Sequence, residues 1–147
     1  IFQNKDTAVI MTEMIHDARI VPLVDKPALD DNIRLWSGDS RGYYDGDTLV
    51  VETKNFNGLR QTFGNAGHNY NANLTEKFTR MADDTVNYEF TIDDPTTFTD
   101  TITAIVPMTK LGGQIYEYAC HEGNYGMLNT LRGKRVEDRT GISSGAN

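Results

Sequence analysis

From Thr85 to Asp93 the residues alternate without interruption: Val86, Tyr88, Phe90 and Ile92 fall on one face, and Thr85, Asn87, Glu89, Thr91 and Asp93 on the other. Period-two alternation of this length specifies an extended strand with one face buried and the other in water. Residues 74–81 alternate as well, and the short Ala82-Asp83-Asp84 link joins the two runs as a hairpin. Ile102, Ala104, Val106 and Met108 make the apolar face of the next strand, where Pro107 points to an edge or a bulge because proline cannot donate to a ladder. Upstream, Asp45-Gly46 marks a tight turn between a short segment, 42–44, and a strand over 47–53. Residues 7–14 and 17–23 read as two further strands, and Gly112-Gly113 leads into another over 114–120.

About eight short strands joined mostly by hairpins favour a mainly β fold, an antiparallel up-and-down barrel of the lipocalin type. A β-sandwich, which needs longer crossovers, is the alternative. Residues 25–40 and 55–73 read as long ordered loops. At 147 residues the chain has the size of one domain, placed over 1–140, with a helical turn around Leu131 and a flexible tail over 141–147.

The net charge of −7 repels phosphate backbones, and no basic cluster beyond Arg132, Lys134 and Arg135 reverses it locally, so nucleic acid is not an expected partner. No apolar run reaches the roughly 18 residues that a membrane span requires. The lone Cys120 excludes an internal disulfide. The chain opens on Ile1 rather than Met, as a processed or excised form does.

Strict alternation then exposes polar residues on an apolar face. If Leu74 and Phe78 point inward, so do Glu76 and Arg80. A buried ion pair adds little net stability, so these two read either as one polar end of a ligand cavity or as a self-neutralising structural pair. His16 shares parity with Met14, Ala18 and Ile20, against Asp17 and Arg19, and is expected inward. His121 lies where a strand runs out into a loop, a position that favours sites. In Gly38-Asp39-Ser40-Arg41-Gly42 an acid and a base stand between glycines, which suits either a site or a turn held by side-chain to backbone bonds.

His16, His68 and His121 lack the short spacing of a metal site, so no metal is expected. No GxSxG elbow, phosphate-binding glycine loop or dinucleotide fingerprint is present, so no organic cofactor is expected either. Cys120 and His121 are neighbours on one strand and face opposite ways, which argues against a thiol nucleophile.

The segments His16-Asp17-Ala18-Arg19-Ile20-Val21-Pro22-Leu23, Gly38-Asp39-Ser40-Arg41-Gly42 with Gly46-Asp47-Thr48-Leu49-Val50-Val51-Glu52-Thr53, and Tyr116 through Tyr125 resemble a family of exported bacterial proteins. The resemblance covers most of the chain and implies a secreted or periplasmic location. It marks His16, Asp39, Arg41, Glu76, Arg80, His121 and Glu122 as motif positions, and it implies no activity.

The leading expectation is a cofactor-free acid-base enzyme, of lyase, isomerase or hydrolase type, acting on a small or oligomeric hydroxylated organic substrate. His16 or His121 moves the proton. Arg80 or Arg41 stabilises developing negative charge, and Glu76, Asp39 or Glu122 orients the histidine. Tyr88 and Tyr125 complete the substrate contacts. The competing expectations are a non-catalytic small-molecule carrier, with Tyr88, Phe90 and Phe78 lining a lipocalin-like cavity, and a structural or assembly module. The sequence does not define an oligomeric state.

Overall fold

The computed structural model describes residues 1–59, 69–119 and 122–141. By internal contacts the chain divides into two units, Ile1–Ile115 and Tyr116–Asn147.

The first unit is mainly β, with eight antiparallel strands among its described residues. Strands β1 (Phe2–Gln3), β2 (Thr7–Met11) and β3 (Ala18–Pro22) form a three-stranded sheet in that order. Strands β4 (Asp39–Asp45), β5 (Thr48–Lys54), β6 (Asn73–Arg80), β7 (Thr85–Asp93) and β8 (Ile102–Thr109) form a five-stranded meander, also in chain order. The hairpins expected at Asp45-Gly46 and across Ala82-Asp83-Asp84 are both present: Asp45 pairs with Thr48 around Gly46 at φ 58°, and Met81 donates its N–H to the Thr85 carbonyl at 2.9 Å. The strands do not close. Among the described residues no ladder joins β3 to β4 or β8 to β1, so the expected barrel is replaced by two separate sheets.

These sheets share one core. Ala8, Ile10 and Val21 from the small sheet meet Leu49, Val51 and Phe78 from the large one, with Leu23, Val86 and Tyr88 packed around them. Each large apolar side chain buried this way contributes about 1.5–3 kcal/mol. The approach is close at Gly42, where a Cβ would stand 2.8 Å from Val21 Cγ1 and 2.9 Å from Leu23 Cδ2. A side chain there would push β3 off the larger sheet.

Strand β8 is an edge, as Pro107 implied. The Lys110 N–H donates to the Asp84 carbonyl at 2.7 Å and continues the β7–β8 ladder. Because N–H groups alternate direction along an antiparallel strand, Pro107 sits where its missing N–H would face the open side. The proline therefore costs β7 nothing and blunts the exposed edge.

One ion pair crosses between the sheets. Arg19 on β3 donates from both terminal nitrogens to the two Glu76 carboxylate oxygens on β6, at 2.6 and 2.8 Å, and Tyr88 on β7 adds a third bond at 2.8 Å. Burial, and then the Glu76 charge and hydrogen bond, hold the Tyr88 phenol well above its ordinary pKa, so it remains a donor. The Arg19 guanidinium is opposed by burial, yet the Glu76 hydrogen bond and charge raise its pKa. Glu76 thus faces inward as alternation predicts, but its partner is Arg19. Arg80, expected beside it, lies at the last position of β6, is exposed and binds Asp83 at 3.2 Å.

Beyond β7, the Asp94 carboxylate is 1% exposed and accepts bonds from the Thr96 N–H, Thr96 Oγ1 and Thr97 Oγ1 at 3.1, 2.6 and 2.8 Å. Burial opposes its charged form, but these bonds outweigh it and hold its pKa below the ordinary value.

Residues 114–119, which run from the end of the first unit into the second, carry no strand, and Cys120 lies outside the described residues. In the second unit a 15-residue helix, α1 (Gly126–Thr140), stands where a single turn around Leu131 was expected. It ends on Gly141 in the left-handed region, whose N–H donates to the Glu137 carbonyl at 2.8 Å. Glycines at 126 and 133 weaken its helical signal in the sequence. The tail over 142–147 lies outside the described residues, and no described helix is long and apolar enough to cross a membrane.

Two outcomes follow for stability. Arg19→Ala leaves Glu76 buried without its cation and should cost about 3–5 kcal/mol in urea unfolding, whereas replacing both residues by leucine should recover most of that loss; a single-variant cost below about 1 kcal/mol would contradict the role given to the pair. Because the Asp94 pKa is depressed in the folded state, its contribution is present above the unfolded carboxylate range and disappears as pH falls through the folded pKa. Asp94→Asn should therefore be less stable than wild type near neutrality, with the difference closing in acid; a pH-independent difference would exclude the linkage.

Candidate functional site

The sequence-derived acid-base constellation does not assemble among the described residues. His16 ends a short 3₁₀ turn, Met14–His16, and is exposed with φ 44°. That left-handed residue interrupts the alternation between β2 and β3, so β3 enters with the opposite parity from the one expected. Arg19 and Val21 face the core, while Met14 and Ile20 are 64% and 69% exposed. His121 and His68 lie outside the described residues. Glu122 and Tyr125 belong to the second unit, both exposed, where the Tyr125 carbonyl accepts the Asn129 N–H at 2.8 Å. Phe78 and Tyr88 stack at 4.9 Å between ring centroids within the core packing, and Phe90 lies 5.6 Å from Tyr88.

Asp39 and Arg41 do stand at a cavity. Both lie at the start of β4, and cross-strand pairing sets Arg41 opposite Glu52, Glu52 opposite Thr75, and Asp39 opposite Lys54. Directly paired residues share a face, so this corner of the large sheet turns its polar side chains away from the core. Asp39, Arg41, Glu52, Lys54, Asn73 and Thr75 line a cavity of about 320 Å³ there.

The Asp39–Arg41 pair is a fastening. Arg41 donates from Nη1 to Asp39 Oδ1 at 2.6 Å and to the Ser40 carbonyl at 2.7 Å, from Nη2 to the Pro27 carbonyl at 2.6 Å, and from Nε to the Lys26 carbonyl at 3.2 Å. The second Asp39 oxygen accepts the Leu29 N–H at 3.0 Å. Together they hold the loop before β4 against the sheet, the side-chain to backbone role that the flanking glycines allowed. The same loop is tied at its far end, where Asn55, in the left-handed region at φ 60°, accepts the Leu35 N–H at 2.9 Å on its carbonyl.

With those two residues occupied, the groups left to meet a ligand are Glu52, Lys54, Asn73 and Thr75. Glu52, Lys54 and Asn73 are exposed, and neither Glu52 nor Lys54 enters an ion pair among the described residues. Sequence reasoning passed over all four because each falls on the solvent side of an ordinary strand; only the cross-strand register brings them together.

Lys54 and Asn73 also line a second cavity, of about 220 Å³, with Asp31, Arg34, Asn55 and Tyr70. The two cavities therefore adjoin at Lys54 and Asn73. Among the described residues no cluster of three His, Cys, Asp or Glu side chains could hold a metal ion. No protein-family model, curated protein or solved structure matches the chain.

The fastening role of Arg41 has a direct readout. In Arg41→Ala the Leu29 amide should lose hydrogen-exchange protection while Ala8 and Val51 in the core keep theirs; unchanged protection at Leu29 would remove Arg41 from that role.

Proposed function

We propose that the protein binds a polyhydroxylated small molecule, a sugar or a sugar-like compound, in the polar groove along β4, β5 and β6. The observation that carries this reading is a set of groups with no side-chain partner among the described residues, around one cavity of about 320 Å³: a carboxylate on Glu52, an ammonium on Lys54, an amide on Asn73 and a hydroxyl on Thr75. Hydroxyl groups donate and accept at once, and this mixture offers both partners, with one charged group of each sign. The Asp39–Arg41 fastening supports it by fixing the groove wall beforehand, which lowers the ordering cost of binding.

A binding protein is favoured over the acid-base enzyme because the described groove contains no histidine, and its titratable groups, Glu52, Lys54, Asp31 and Tyr70, include none that ordinarily exchanges a proton near neutrality. The two-sheet arrangement with a shared core supports a sandwich-like frame in which the inner faces give stability and an outer corner meets the ligand. The resemblance of the His16-Asp17-Ala18-Arg19 and Gly38-to-Gly42 segments to exported bacterial proteins supports a secreted or periplasmic location.

Calorimetric titration with neutral hexoses and short oligosaccharides tests the reading. Glu52→Gln and Asn73→Ala should each weaken binding by roughly tenfold, the size of one hydrogen bond involving a charged or well-placed group, with thermal stability unchanged. Affinity indifferent to both substitutions would take the ligand out of this groove. Turnover of a bound sugar, abolished in Glu52→Gln at unchanged affinity, would return the protein to the acid-base enzyme class.

A further inference from the structure

Arg34 lies in the loop before β4. Its guanidinium lies over the Tyr70 ring, Cζ 4.2 Å from the centroid, and donates from Nη1 to the Tyr70 carbonyl at 2.8 Å. Its Nε is buried and meets no acceptor among the described residues. A buried donor without an acceptor is a standing cost that natural structures rarely keep without a use. Arg34 lines the smaller part of the groove, and so does Lys54, whose ammonium has no partner among the described residues. Two cations, one of them with an unmet donor, therefore border a single cavity of about 220 Å³.

Resting on the reading that the groove takes a polyhydroxylated molecule, we infer that this molecule is a sugar acid, its carboxylate docked between Arg34 and Lys54 and its hydroxyls laid along Glu52, Asn73 and Thr75. With Nη1 held by the Tyr70 carbonyl, the Nε and Nη2 edge remains, and two parallel N–H groups match the two oxygens of a carboxylate. The Tyr70 ring beneath the guanidinium fixes its plane. Charge balance selects a carboxylate over a phosphate: Asp31 in the same cavity and Glu52 in the adjoining one offset Arg34 and Lys54, which leaves no surplus positive charge to compensate the desolvation of a dianion.

The test is calorimetric titration of the full chain with D-galacturonate, D-galactose and D-galactose 6-phosphate. Galacturonate should bind at least about tenfold more tightly than galactose, the scale of one bidentate charged contact. In Arg34→Gln, and separately in Lys54→Met, the ratio of the two affinities should fall to about one. Lys54 is exposed and holds no partner among the described residues, so that variant remains informative if loss of the Tyr70 contact unfolds Arg34→Gln. Equal binding of galacturonate and galactose overturns the inference and leaves the groove reading standing. Tighter binding of the phosphate overturns the choice of a carboxylate. Binding of none of the three overturns the inference and the groove reading together.

Discussion

A bidentate bond between Arg19 and Glu76 joins two sheets that no ladder connects among the described residues. Apolar burial alone would hold the sheets together but would not fix how they lie, because hydrophobic contact is non-directional. The guanidinium is directional, and its two bonds permit one alignment of β3 over β6. Tyr88 fills a further acceptor position on Glu76, with a phenol kept protonated by burial and by the charge beside it. Removing either ion strands the other in the core, whereas an apolar pair of similar size would be tolerated. The pair therefore contributes orientation more than net stability.

This division of labour runs through the large sheet. On its inner face Val51, Glu76 and Phe78 face the small sheet, and the polar groups there are satisfied by one another. On its outer corner Glu52, Lys54, Asn73 and Thr75 stand around open space. Adjacent residues on one strand, Val51 and Glu52, thus serve opposite ends, because successive side chains alternate faces. The second fastening, Arg41 with Asp39, belongs to the loop that walls the groove, and it uses nearly all the donors Arg41 has.

Much of this was legible in the sequence, and the exceptions have physical causes. The alternation in 74–81 and 85–93 located β6 and β7 and put Glu76 inside, and Pro107 announced the edge at β8. Alternation failed at β3 because His16 takes a left-handed conformation that reverses the parity, so Arg19 enters the core and the apolar Ile20 faces water. It failed at Arg80 because the last residue of a strand can turn its long side chain to solvent. Closure into a barrel was not readable, since it depends on whether β3 and β4 pair, a non-local choice to which hairpin signals are blind. The groove was half visible: Asp39 and Arg41 stood out between glycines, while Glu52, Lys54, Asn73 and Arg34 become a set only through register and loop placement.

The separation of a structural inner pair from a ligand-facing outer groove is tested most directly by mapping amide chemical shifts as the full chain is titrated with a hexose and its uronate. The account predicts perturbation confined to residues 31–34, 52–54 and 73–75, with the amides of Arg19, Glu76 and Tyr88 unmoved. Perturbation centred on Glu76 and Tyr88, or on His16, would contradict it and place the ligand where the sequence first suggested.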